Sequence, residues 1–196
     1  TPIPVTPEGI IQLDILEQKL AAHRGQKNLI SVIWGHNETG VIQPIHEIVA
    51  LAKKYGAVVH TDAVQVIGKI PISFTESGVD MMSISAHKMG GPAGVGALIV
   101  KETIPLTALI RGGGQEKNRR AGTQSIVTVA GFDAAIMNAA PLQHLRAFHD
   151  RMEQGMLQLT QNKAYVFSKK AERLPNTTCV TLPGLSNQTQ VMNFDL

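Results

Sequence analysis

Leu29-Ile30-Ser31-Val32-Ile33-Trp34 and Ala57-Val58-Val59-His60, with Ile45 to Tyr55 between them, decide the fold of this chain. The first run is apolar apart from Ser31. The second is apolar up to its final histidine. Runs of that kind suit strands buried on both faces. The middle segment reads as a helix, with Lys53 and Lys54 in its last turn and Gly56 as a stop. Strand, helix, strand at this spacing is a βαβ unit, which predicts parallel strands covered by helices.

Working outward, Met81 to Ser85 and Ala97 to Val100 read as two further strands. Upstream, a Thr6-Pro7-Glu8-Gly9 turn precedes Leu13 to His23, where Leu13, Ile15, Leu16 and Leu20 give the apolar spacing of an amphipathic helix. Downstream, Ser125 to Ala139 reads as a long helix that resumes beyond Pro141, after a break, up to Gln161. Residues 163–196 then read as strand, turn, strand: Tyr165-Val166-Phe167, then Cys179-Val180-Thr181-Leu182, then a Pro-Gly turn. The texture changes after about residue 140. The expected division is residues 1–140 as part of a larger α/β domain and residues 141–196 as a connecting helix with the start of a smaller α+β unit. The chain lacks an initiator methionine and stops at Asn193-Phe194-Asp195-Leu196, inside what reads as an apolar element. It is therefore expected to be a central piece of a longer protein.

Composition narrows the function classes. A 43% hydrophobic fraction with only 4% aromatics calls for an aliphatic core. The net charge is +3, and the positive residues are scattered apart from Arg111 to Arg120, which argues against a nucleic-acid partner. No apolar run approaches the roughly 20 residues that span a bilayer, and no leader pattern opens the chain. One cysteine, Cys179, excludes an internal disulfide and fits a reducing, cytoplasmic setting. No metal site is expected.

The chemistry gathers where the strands end. In open α/β sheets, ligands sit at the carboxyl ends of the strands. His36-Asn37-Glu38-Thr39-Gly40 follows the first strand, Thr61-Asp62-Ala63-Val64-Gln65 the second, and Ser85-Ala86-His87-Lys88 the third. Taken singly, each has an ordinary structural role: Asn37 or Thr39 shapes a turn, Asp62 caps a helix beginning near Ala63, and Gln65 is solvated. Together they match what pyridoxal phosphate requires. Lys88 offers an amine for a Schiff base. Asp62 offers a carboxylate to keep the ring nitrogen protonated, so that the ring acts as an electron sink. Asn37 and Gln65 offer neutral donors to the phenolic oxygen. Ser85 and His87, beside the glycine-rich turn Gly90 to Gly96, offer donors to a phosphate.

Four blocks carry a family signature: His36 to Ile45, His60 to Gln65, Ser85 to Lys88, and Gly112-Gly113-Gly114-Gln115-Glu116-Lys117-Asn118-Arg119-Arg120-Ala121-Gly122-Thr123. In order and spacing they resemble the NifS/IscS-like cysteine desulfurases, within the class V, fold-type I pyridoxal-phosphate enzymes. The resemblance implies the large-domain fold of that class, a mostly parallel sheet covered by helices, together with the start of a small C-terminal domain. It implies that Lys88 forms the Schiff base, Asp62 pairs with the ring nitrogen, Gln65 and Asn37 contact the phenolic oxygen, and Ser85 and His87 hold the phosphate. Thr123 resembles a threonine that reaches the phosphate of a neighbouring subunit, which implies a homodimer. The implied reaction takes sulfur from L-cysteine, leaving alanine and a persulfide on an enzyme cysteine, for delivery to a sulfur acceptor or iron–sulfur scaffold protein.

The departures from that pattern are as specific. A ring-stacking residue and a small-residue phosphate loop are expected before Asn37, and nothing in residues 1–36 matches them; His23 lies on a helix that reads as solvated. The persulfide cysteine and the arginine for the substrate carboxylate are expected beyond Leu196. Cys179 reads as a small buried hydrophobe in a strand. Ala93 stands where the family often has a lysine. The cofactor-facing blocks do not separate desulfuration from other class V chemistry, such as a selenocysteine lyase, aminotransferase or epimerase. A non-catalytic phosphate-binding module is the remaining alternative, but a P-loop places its lysine after the glycines and at a helix start.

Overall fold

The computed structural model describes residues 1–194. Helix α1 covers Leu13–Ala22, strand β1 Leu29–Ile33, helix α2 Ile45–Tyr55 and strand β2 Val58–Asp62. The single turn of helix α3 (Phe74–Ser77) leads into β3 (Met81–Ser85), a 3₁₀ turn over Ala86–Met89, and β4 (Gly96–Val100). Helices α4 (Ile126–Asn138) and α5 (Arg146–Leu159) follow. The chain then forms β5 (Tyr165–Val166), β6 (Val180–Thr181) and α6 (Asn187–Phe194).

The four-stranded sheet has the order β1-β2-β3-β4. β1, β2 and β3 run parallel, as the βαβ reading requires, and β4 returns antiparallel to β3 with Met82 opposite Ile99. Burial of α2's apolar stripe against the sheet drives this layer. Ile45, Ile48, Val49 and Ala52 of α2 pack with Leu16 and Leu20 of α1 over Ile30, Val59 and Met82, one inward residue from each parallel strand. Gly56 ends α2 in the left-handed region at φ 66°, where a side chain would be strained. Buried Thr61 ties the strands together by donating its hydroxyl to the Val32 carbonyl at 3.1 Å.

Three expectations are corrected. Helices cover one face of the sheet only: Leu29, Ile33 and Leu98 are 60%, 45% and 48% exposed. Apolar runs signal two-sided burial, but the second cover is not supplied by the described residues. No helix begins near Ala63. Residues 64–69 form successive turns instead, because Gly68 sits at φ 73° and interrupts the helical path, although Asp62 Oδ1 does accept the Val64 N–H at 2.9 Å. Cys179 lies just ahead of β6 and is half-buried, so it is neither in a strand nor a core hydrophobe. The apolar element read at Asn193 to Leu196 falls partly outside the described residues, and its described portion closes α6.

The C-terminal stretch returns to the sheet layer. Ile42 N donates to Glu172 O at 2.9 Å and Leu174 N to Gly40 O at 2.7 Å, and Leu174 is fully buried in the same core. A charged cluster fixes this return. Buried Arg173 makes a two-pronged contact with the buried Glu153 of α5, at 2.7 and 3.1 Å. The Thr178 hydroxyl donates to the same carboxylate, and Arg146 donates to the Arg173 carbonyl. Burial alone pushes the Glu153 carboxyl up, but the Arg173 and Thr178 hydrogen bonds overcome it and hold the group below its ordinary value.

Candidate active site

Parallel pairing in register aligns the carboxyl ends of β1, β2 and β3, and the polar residues lie there. Beyond β1 the backbone makes a narrow ribbon, with His36 N donating to Val41 O at 2.9 Å and Gln43 N to Trp34 O at 2.7 Å. Asn37 is exposed at its tip. His36 shapes that tip, since its Nδ1 accepts from the Thr39 and Glu38 N–H groups at 3.2 and 3.3 Å. Asp62 closes β2 and is half-buried. One carboxylate oxygen receives the Val64 N–H, and the other takes no hydrogen bond among the described residues.

β3 ends at Ser85, whose hydroxyl lies 2.8 Å from His87 Nδ1. The 3₁₀ turn then presents His87 and Lys88 to solvent, both exposed, over the fully buried Ala86. Gly91 N donates to Ala86 O at 2.9 Å and closes the turn. Gly96 opens β4 and not a helix, so the lysine precedes the glycines and a strand follows them. The β1, β2 and β3 ends are thus followed by Asn37, by Asp62 with Gln65 in the turn after it, and by Ser85, His87 and Lys88. Thr123 stands apart. It is exposed between Ala121 and α4, and among the described residues no hydrogen bond ties it to this group.

Two features escaped the sequence reading. Across the open sheet face, Ser31 Oγ, His60 and Ser83 Oγ form a continuous row, each contact 2.9 Å, on the three strands that carry the site. His60 is two residues before Asp62, so the period of two places both on one face, a signal available in the sequence. The second is Lys69, whose ammonium donates to Gln65 Oε1 at 2.5 Å, four residues on.

The donor set fits pyridoxal 5'-phosphate. Among the described residues it provides an unpaired exposed amine, a carboxylate with a free oxygen, amide donors and a hydroxyl–imidazole pair, all at the carboxyl ends of parallel strands, where an open α/β sheet places its ligands.

A chain with this sheet and this lysine turn belongs to the aminotransferase class-V family, whose model matches residues 1–194. Within that family its similarity is to cysteine desulfurases. The chain is 41% identical over 191 residues to the cysteine desulfurase of Sinorhizobium fredii, covering 95% of this chain and 48% of the relative. It is 42% identical over 195 residues to that of Cereibacter sphaeroides, covering 98% and 49%. Among solved structures, a NifS-like protein from Rickettsia africae superposes with a TM-score of 0.92 at 36% identity, covering 98% of this chain and 54% of that one. The chain thus has about half of the NifS-like fold and spans about half the length of the curated relatives it matches. No single described helix is long and apolar enough to cross a membrane.

Proposed function

We propose that this chain carries the cofactor lysine of a pyridoxal-phosphate-dependent cysteine desulfurase. The observation that carries the reading is the position of Asn37, Asp62 and Lys88 just beyond, or at, the carboxyl ends of three adjacent parallel strands, with the Lys88 amine exposed and, among the described residues, unpaired. The similarity to enzymes named cysteine desulfurases supplies the substrate, L-cysteine.

When bound, pyridoxal 5'-phosphate supplies an aldehyde that condenses with an amine and a ring that accepts electron density. Every other role falls to this chain. Lys88 Nζ would hold the cofactor's aldehyde carbon, and the same amine would carry the proton of the substrate α-carbon. Asp62, through its free oxygen, keeps the proton on the ring nitrogen. Gln65 and Asn37 donate to the phenolic oxygen. Ser85 and His87 bind phosphate oxygens, and in the turn that follows a Cβ on Gly90 or Gly94 would meet only open space. Sulfur passes from L-cysteine to a thiol elsewhere in the whole protein, giving alanine and a persulfide. Cys179 is given no part in this.

The reading extends to the assembly. Residues 1–140 are the cofactor-binding part and residues 141–196 begin a second, smaller unit, which reaches back through the Ile42–Glu172 and Leu174–Gly40 backbone contacts. Thr123 serves the phosphate of a second subunit in a homodimer, which is why it stands apart from Lys88 here. The open sheet face is covered in the whole protein. The protein works in the cytoplasm in this reading, and the sulfur acceptor is an iron–sulfur scaffold or similar protein.

The test is turnover by the whole protein. L-cysteine should give alanine and protein-bound persulfide in equal amounts, and Lys88→Ala should give neither. Alanine with no sulfur retained on protein would point to a lyase, and transamination products without alanine would sink desulfuration.

A further inference from the structure

We propose that Lys69 is a positioning residue that fixes the side-chain amide of Gln65, so that its NH₂ group faces the cofactor's phenolic oxygen. The inference rests on the reading of Gln65 and Lys88 given above and adds a residue to it.

An amide side chain has one accepting and one donating end, and the two are nearly the same shape. Something must decide which end faces a ligand. A lysine can only donate, so a lysine Nζ at 2.5 Å from the Gln65 amide settles the matter: the atom beside it is the oxygen, and the NH₂ is what the amide has left to offer. A phenolic oxygen that bears negative charge requires that end.

The backbone makes the contact durable. Gln65 and Lys69 lie in one run of turns, with Ile70 N donating to Val66 O at 3.1 Å. The Lys69 carbonyl accepts from Leu142 N at 2.8 Å, which anchors the end of the run to the chain beyond α4. Gly68 brings the run against the lysine turn: a Cβ built on it would lie 3.0 Å from Met89 Cβ, the residue after Lys88. The amine is half-buried. Burial first, and then the charge of Lys88, push Lys69 below its ordinary value. A lysine placed only for solubility would extend into water instead.

The experiment uses the whole protein stripped of cofactor and titrated with pyridoxal 5'-phosphate. Lys69→Met should weaken binding about tenfold, the scale of one charge-assisted hydrogen bond. It should also raise the pH midpoint of the bound cofactor's visible band by about half a unit, because a cation near Lys88 is gone. Lys69→Arg should recover most of both. Gln65→Leu should weaken binding as Lys69→Met does, and the double variant should be no worse than either. Gln65→Glu offers a route independent of Lys69 replacement. It keeps the Lys69 contact and the shape but has no donor left, so it too should bind weakly.

Unchanged affinity and midpoint in Lys69→Met would overturn the inference. So would additive effects of Lys69→Met and Gln65→Leu, or full-strength binding by Gln65→Glu. Borohydride capture separates this from the wider reading. With cofactor captured on Lys88 and Lys69→Met silent, only the Lys69 role fails; with no capture on Lys88, both fail.

Discussion

Two polar clusters in this chain use the same kinds of side chain to opposite ends. Around Glu153, the carboxylate accepts from both prongs of Arg173 and from Thr178, and both Glu153 and Arg173 are buried. At the β2 and β3 ends, Asp62 keeps one oxygen free and Lys88 points its amine at solvent. A carboxylate whose two oxygens are both taken by neighbouring side chains has nothing left for a ligand and holds two segments together. A cluster left unsatisfied on a rigid sheet is held ready for something that arrives later. The difference is one of valence and not of composition, so it could be read only once the partners were in place.

The largest expected effect lies on the unsatisfied side. Asp62→Asn removes the charge but keeps the Val64 contact through the amide oxygen. Turnover of L-cysteine by the whole protein should fall by about 10²–10³-fold, the cost of losing one preorganised electrostatic partner. Thermal stability should change little. A variant that unfolds without losing specific activity would place Asp62 with the structural cluster.

On the satisfied side the expectation reverses. Arg173→Met leaves the buried Glu153 without its guanidinium partner, with only Thr178 and His149 beside it, and should cost about 3–5 kcal/mol in chemical denaturation. Affinity for pyridoxal 5'-phosphate in the surviving folded fraction should stay near wild type. A large loss of affinity at unchanged stability would merge the two clusters.

A smaller effect comes from acid. Glu153 is held below its ordinary value of 4.5 in the folded chain, so its contribution is complete above the unfolded value and is lost as pH falls through the folded one. Stability should therefore decline below about pH 4.5. Glu153→Gln should start lower and fall less steeply. Parallel acid curves for the two proteins would contradict the assignment.

Much of this was legible in advance. The apolar runs placed β1 to β4 within two residues, because each strand keeps an apolar row, with Ile30, Val59, Met82 and Ile99, against the one covered face. Gly56 marked the end of α2 for a backbone reason that does not depend on packing. The strand ends Asn37, Asp62 and Lys88 were legible because they share a topological position. Three things were not. The apolar strands suggested two covered faces, but periodicity records a residue's preference and not which segment supplies its partner. The turns after Asp62 looked like a helix start, since the capping contact of Asp62 is present and only Gly68 redirects the chain. α6 was missed because Asn187-Gln188-Thr189-Gln190 carries no apolar spacing and helices need not advertise themselves in polar sequence. His60 and Lys69 were overlooked as single residues, although their offsets of two and four from Asp62 and Gln65 were there to be read.

Everything turns on which amine binds the cofactor, and Lys69 is near enough to Lys88 to feel its charge. The most direct measurement is to incubate the whole protein with pyridoxal 5'-phosphate, reduce it with borohydride, digest it, and locate the phosphopyridoxyl group by mass spectrometry. The expected result is a single modified peptide containing Lys88, absent in Lys88→Ala. Modification at Lys69 with Lys88 untouched, or equal labelling of many surface lysines, would contradict the account.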